Sequence, residues 1–99
     1  MNLSGLKDAE LWTLFKKDDN QAFKFIYANF ADKLYLYGLK ICHDKALIED
    51  VIQDLFTELV KNRKNLGDTD NILFYLLKAF KRKLLRSIQT EKRFVFHKD

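Results

Sequence analysis

Residues 47–60 read LIEDVIQDLFTELV, and this stretch decides the fold. Its apolar residues recur at spacings of three and four: Ile48, Val51, Ile52, Leu55, Phe56 and Leu59. Because an α-helix turns once in about 3.6 residues, this spacing puts them on one face. The stretch is therefore predicted to be an amphipathic helix that packs this face into a core.

Most other positions of the same helix carry acid or amide groups and form what we call the acidic face: Glu49, Asp50, Gln53, Asp54 and Glu58. Solvated helix faces usually mix signs, since acids and bases four residues apart stabilise the helix. A face without any base predicts a docking surface for a basic partner. The alternative is an ordinary solvated face, which is the usual role of a charge run.

The rest of the chain predicts an all-α fold. Its 99 residues include three glycines and no proline, so few positions interrupt a helix. Helices are expected at residues 8–17, 20–41, 45–61 and from 70 or 71 to about 90, with Asp19 and Asp44 as N-caps. Short connections favour antiparallel neighbours. We expect one domain over residues 1–99, a compact bundle of three long helices and a short N-terminal helix, with residues 94–99 as a tail or the start of a linker.

The apolar stripes of the other helices follow the same spacing. The first helix contributes Leu11, Trp12, Leu14 and Phe15. The second contributes Phe23, Ile26, Phe30, Leu34, Tyr37 and Ile41, and the last contributes Leu73, Leu76, Leu77, Phe80, Leu84 and Ile88. These stripes are predicted to meet in one core.

Charge is divided unevenly along the chain. Residues 1–60 hold seven Lys or Arg and ten Asp or Glu, whereas residues 61–99 hold eleven and four. The two parts therefore carry formal charges of −3 and +7, which agree with the total of +4. An acidic first part and a basic last part predict two partners of opposite charge.

Residues 62–71, NRKNLGDTDN, are predicted to be the one long loop, and a basic helix follows them. The loop carries the bases Arg63 and Lys64, and in the helix aromatic residues precede a run of bases: Phe74, Tyr75, Lys78, Lys81, Arg82, Lys83 and Arg86. Clustered bases attract phosphates, and aromatic rings stack on unpaired nucleobases. This composition suits single-stranded or melted DNA. The alternative is a solvated basic helix whose aromatic residues belong to the core.

Residues 48–56, IEDVIQDLF, also resemble the polymerase-docking helix of bacterial sigma factors of the extracytoplasmic-function type, in the sigma-70 superfamily. Upstream, Asp19, Ala22 and Phe23 followed by Ile26 and Tyr27 are similar to the opening motif of that family. Downstream, residues 75–79, YLLKA, are similar to the start of its promoter-reading helix. The resemblance covers about residues 10–93 and implies the fold of sigma region 2.

The resemblance also implies partners and a site. The acidic face would bind the clamp helices of the β′ subunit of core RNA polymerase. The loop, with Asn65, Leu66, Gly67 and Asp68, would take a flipped-out base of the non-template strand of the −10 promoter element, and the bases of the last helix would hold phosphates. An anti-sigma factor is a further candidate partner, and the expected location is the cytoplasm. The family's promoter helix often carries Asn where this chain has Arg82.

The sequence gives an enzyme little support. The only cysteine is Cys42, which leaves no internal disulfide, and the two histidines lack partners at metal-ligand spacing. There is no phosphate-binding loop or catalytic signature, so no cofactor is expected. No stretch is long and apolar enough to predict a membrane span. Two other functions stay open: a helical module that binds a basic partner without touching DNA, and an anti-sigma-like adaptor.

Overall fold

The structure, a computed structural model, describes the backbone of residues 3–98 and the side chains of residues 3–90. It contains four α-helices: α1 (Asp8–Lys16), α2 (Asn20–Leu39), α3 (Lys45–Asn62) and α4 (Ile72–Lys98). Short 3-10 turns lie at Leu3–Gly5 and Arg63–Asn65, and residues 3–98 include no β-strand. The predicted all-α architecture, with three long helices after a short one, is confirmed for this part of the chain.

The end of the last helix differs from the prediction. α4 continues to Lys98 instead of ending near Thr90. Residues 91–98 contain no proline or glycine, so no residue type in this segment stops a helix. Of the tail predicted at residues 94–99, the part up to Lys98 is therefore helical, and Asp99 lies outside the described residues.

Short polar side chains begin the three long helices. Asp19 Oδ1 accepts hydrogen bonds from the backbone N–H groups of Gln21 and Ala22, at 2.9 and 3.0 Å. Asp44 does the same for α3, and Asn71 for α4. Each cap satisfies an N–H group that has no partner within its own helix, which is worth about 1 kcal/mol.

The core lies where the apolar faces of all four helices meet. Its buried side chains are Leu11, Trp12, Phe15, Ala22, Ile26, Leu34, Ile48, Val51, Ile52, Leu55, Phe56, Leu59, Ile72, Leu76, Phe80 and Leu84. The stripe predicted for α3 is buried in full. The stripes predicted for α2 and α4 include residues that are only partly buried and pack against the edge of the core, such as Phe30 and Leu77.

Gly38 lets α2 approach α3 and α4 closely. A Cβ atom at this position would lie 2.9 Å from Ile48 Cγ2 and 3.1 Å from Phe80 Cζ. Both neighbours are fully buried, so neither can move into solvent. At this crossing α2 therefore packs against both α3, which carries the acidic face, and α4, which carries the basic residues of the last helix. None of the helices among the described residues has the length and apolarity to cross a membrane.

Candidate nucleic-acid interface and acidic docking face

Two side chains of α1 bind the loop of residues 62–71, and a third binds the first residue of α4. The carboxylate of Asp8 accepts a hydrogen bond from the backbone N–H of Ile72 at 2.8 Å. Trp12 Nε1 donates to the carbonyl oxygen of Gly67 at 2.8 Å, and Lys16 Nζ donates to Asp68 Oδ1 at the same distance. The loop is thus attached to the body of the protein at its middle and at its C-terminal end.

The N-terminal end of the loop is attached through Arg63. Its Nε atom lies 2.6 Å from Asp18 Oδ1, and its guanidinium carbon lies 5.7 Å from the centre of the Phe15 ring. Asp18 follows α1 with a φ of 69°, a left-handed conformation that Asp tolerates better than most residues. The Arg63 side chain is half-buried and faces the body of the protein, whereas Lys64 is mostly exposed beside it.

Two shallow hollows lie beside the loop on α4, and we call them together the α4 surface. The first has a volume of about 410 Å³ and is lined by Thr69, Phe74, Tyr75, Lys78, Ala79 and Arg82. The second, of about 260 Å³, reaches Asn62 at the end of α3 and Leu66 in the loop, and is also lined by Arg86. Tyr75, Ala79 and Arg82 line both, so the hollows adjoin. Phe74 is 64 % exposed at the outer edge.

The chemistry of this surface suits an unpaired nucleotide. The ring of Phe74 is exposed, and the ring of Tyr75 beside it is half-buried. Arg82 and Arg86 are exposed within one helical turn of each other and line the second hollow. Planar rings stack on nucleobases, and guanidinium groups bind phosphate with paired hydrogen bonds.

The structure does not bring every predicted base together. Lys81 is exposed but lines neither hollow, since residue 81 is rotated by about 100° from residue 82 around the helix. Arg63 is engaged with Asp18, as described above. Lys78, Arg82 and Arg86 do lie on the α4 surface. Asn65, Gly67 and Asp68 are exposed in the loop, and Leu66 is half-buried against the second hollow.

The acidic face of α3 points into solvent. Glu49, Asp50, Gln53 and Asp54 are exposed, and within residues 3–90 the carboxylates of Glu49, Asp50 and Asp54 form no ion pair. Glu58 differs, because it forms an ion pair with Lys83 of α4. Both partners line the second hollow, so the acidic face and the α4 surface meet at this pair.

A third hollow, of about 480 Å³, adjoins the other edge of the acidic face. Phe23 and Tyr27 of α2 and Phe56 and Val60 of α3 form its apolar part, and Gln53, Thr57 and Lys61 form its polar part. The rings of Tyr27 and Phe56 are 4.8 Å apart, centre to centre. Phe56 is buried, in agreement with the prediction that its spacing suits the core, while Tyr27 is 43 % exposed. An apolar side chain of a partner would find contacts here beside the carboxylates.

The sequence did not reveal the role of α1 at this site. The sequence pattern predicts only that residue 8 begins the first helix and that Trp12 belongs to its apolar stripe. A buried tryptophan normally finds an acceptor for its indole N–H, which was the one available signal. Nothing in the local pattern identified Gly67, 55 residues away, as that acceptor.

No group of three or more His, Cys, Asp or Glu side chains within the described part of the chain could hold a metal ion. No protein-family model matches the chain, and no curated protein or solved structure is significantly similar to it.

Proposed function

We propose that this chain is a sigma factor region 2-like domain. In this proposal the acidic face docks on the β′ clamp helices of core RNA polymerase, and the α4 surface and the loop bind the non-template strand of the −10 promoter element. One observation carries the proposal: a loop fastened to α1 lies beside exposed aromatic and basic side chains, one helix away from an exposed acidic face.

The attachment of the loop to α1 lowers the free-energy cost of binding a flipped-out base. Taking a base out of a duplex costs a few kcal/mol in lost stacking and pairing. A loop that is already ordered adds no large ordering cost to this. Stacking on Phe74 or Tyr75 would return about 1–3 kcal/mol per base. Phosphate contacts from Lys78, Arg82 and Arg86 would add a salt-dependent term.

The acidic face supplies the second half of the proposal. Asp50 and Asp54 are exposed one turn apart on α3, so both can reach the same partner helix. Arginines of a clamp helix would form charge-assisted hydrogen bonds with them. Because Glu58 is paired with Lys83, it would contribute less to docking than its place in the sequence suggests.

Docking is tested by measuring the affinity of the chain for core RNA polymerase. Asp50→Arg and Asp54→Arg should each lower it strongly, since losing one partner of a close charge pair costs about 2–5 kcal/mol and reversal costs more. Asp32→Arg is the matched control, because Asp32 is an exposed acid on α2 outside the acidic face. Equal affinity for all three variants and the wild type would refute the role of the acidic face.

DNA binding is tested with the polymerase present. The complex should bind the single non-template strand of a −10 element more tightly than the corresponding duplex. Variants of the exposed loop residues Asn65 and Asp68 should change the preference at one base and leave the salt dependence unaltered, because base contacts specify and phosphate contacts position. If these variants weaken binding equally for every base, the loop is not the base-binding element.

The alternative function is a protein-interaction module that binds a basic partner without DNA. The hollow lined by the rings of Phe23, Tyr27 and Phe56 favours it, because these rings could hold an apolar side chain of an amphipathic helix whose basic residues meet the neighbouring acidic face. This alternative predicts that Arg82→Ala leaves every activity of the chain unchanged. The sigma-like function predicts a loss of DNA binding in the same variant.

A further inference from the structure

The buried side chain of Trp12 contacts both parts of the proposed base-binding site, which are the loop and the α4 surface. Its side chain is 1 % exposed, so it cannot touch DNA itself. Its indole N–H donates to the carbonyl oxygen of Gly67 in the loop at 2.8 Å. Its ring lies 4.9 Å from the ring of Tyr75, which lines both hollows of the α4 surface.

The hydrogen bond to Gly67 fixes a part of the loop that little else restrains. The space around the Gly67 α-carbon is open, with no atom within 4 Å of where a Cβ would stand. The donor itself cannot move, because Trp12 is buried in the core and packs on Phe15, with the two ring centres 5.3 Å apart. An indole N–H can only donate a hydrogen bond, so this bond forms only when the carbonyl oxygen of Gly67 points toward Trp12.

That orientation determines where the neighbouring side chains point. Leu66 lines the second hollow, whereas Asp68 pairs with Lys16 of α1. Rotating the peptide between Gly67 and Asp68 would disturb both contacts. The Lys16–Asp68 pair cannot hold the peptide by itself, since Asp68 is 87 % exposed and such pairs are worth about 0–1 kcal/mol.

We infer that Trp12 is a positioning residue that determines base selectivity through the Gly67 carbonyl. The inference rests on the proposed function. It assigns the base selectivity of the loop to a buried side chain of α1, although no residue of α1 lines the α4 surface. Phosphate contacts belong to other residues, so Trp12 should affect discrimination between bases and leave electrostatic binding unchanged.

The test replaces Trp12 with β-(3-benzothienyl)alanine, an analogue of nearly the same shape that has sulfur in place of the N–H. Trp12→Phe is the genetically encoded companion. Leu34→Val is the stability control, because Leu34 is fully buried on α2 and lines none of the hollows. The probes are fluorescent single-stranded DNA oligonucleotides of −10-like sequence, varied one base at a time, and the chain is bound to core RNA polymerase.

The analogue should lower the ratio of affinities between the preferred base and the others by roughly three- to tenfold, the range that one hydrogen bond supports. The salt dependence of binding should equal that of the wild type. Leu34→Val should leave the ratio unchanged, because a purely structural defect lowers the active fraction equally for all probes.

Two DNA-binding results overturn the inference, and they are distinguishable. If the wild type discriminates between bases and the analogue discriminates equally well, Trp12 has no positioning role, while the proposed function stands. If the wild type itself shows no base preference, the proposed function fails and the inference fails with it. The amide NMR shifts of Leu66, Gly67 and Asp68 provide a check without DNA, since unchanged shifts in the analogue would also refute the role of the hydrogen bond.

Discussion

Gly38→Ala should destabilise the protein, although alanine is the better helix former. In an unobstructed helix the change would add up to about 1 kcal/mol of stability. Here the new methyl group would meet Ile48 at 2.9 Å and Phe80 at 3.1 Å. Overpacking of a well-filled core typically costs about 1–3 kcal/mol. With the full helix-propensity gain subtracted, the net loss should reach about 2 kcal/mol, and the melting temperature should fall by about 4–8 °C for each kcal/mol lost in a domain of this size.

Urea denaturation of a double-mutant cycle isolates the cause. Ile48→Ala removes both side-chain atoms of Ile48 nearest to the new methyl group and should cost about 2–5 kcal/mol by itself. Adding Gly38→Ala to that variant should then be neutral or stabilising, because the methyl group partly fills the space left. Gly5→Ala is the control, since nothing lies within 4 Å of its Cβ position. Additive losses in the cycle, or a Gly38→Ala protein as stable as the wild type, would refute the steric argument.

Three further predictions follow from the contacts around the loop and the acidic face. Asp8→Ala should lower the free energy of unfolding by about 1 kcal/mol in chemical denaturation, because the N–H of Ile72 loses its acceptor, and Asp8→Asn should restore most of it. Arg82→Ala should reduce the slope of log affinity for DNA against log salt by about one unit, whereas Lys81→Ala should reduce it less, since Lys81 lies outside both hollows. Asp54→Arg should abolish capture of core polymerase in a pull-down while leaving the circular dichroism spectrum unchanged; loss of helical signal would attribute the effect to misfolding.

Local pattern was sufficient to predict the helices and much of the core. The spacing from Ile48 to Leu59 repeats with the helix, and this whole stripe is buried. Asp19 and Asp44 begin their helices as N-caps, because capping involves atoms only two or three residues apart. Such features depend on the residues next to them in the chain, so a single sequence contains the information.

Contacts between distant parts of the chain could not be predicted in the same way. Asp8 caps a helix that begins 64 residues later, and only the packing of α1 beside α4 brings the two together. The pair of Glu58 and Lys83 likewise depends on the relative rotation of α3 and α4. Periodicity indicates that Phe74 and Tyr75 belong to a helix, but the rotation of α4 about its axis against the rest of the bundle decides which of the two rings is exposed.

The contact between Trp12 and Gly67 has an optical consequence. Trp12 is the only tryptophan in the chain, so all indole fluorescence of the protein comes from this one position. The indole is shielded from water by the core, and its N–H is bound to the loop. Release of the loop would expose that N–H to water while the helices stay folded. The protein therefore contains an intrinsic probe whose emission wavelength reports whether the loop is attached to α1, with no label added.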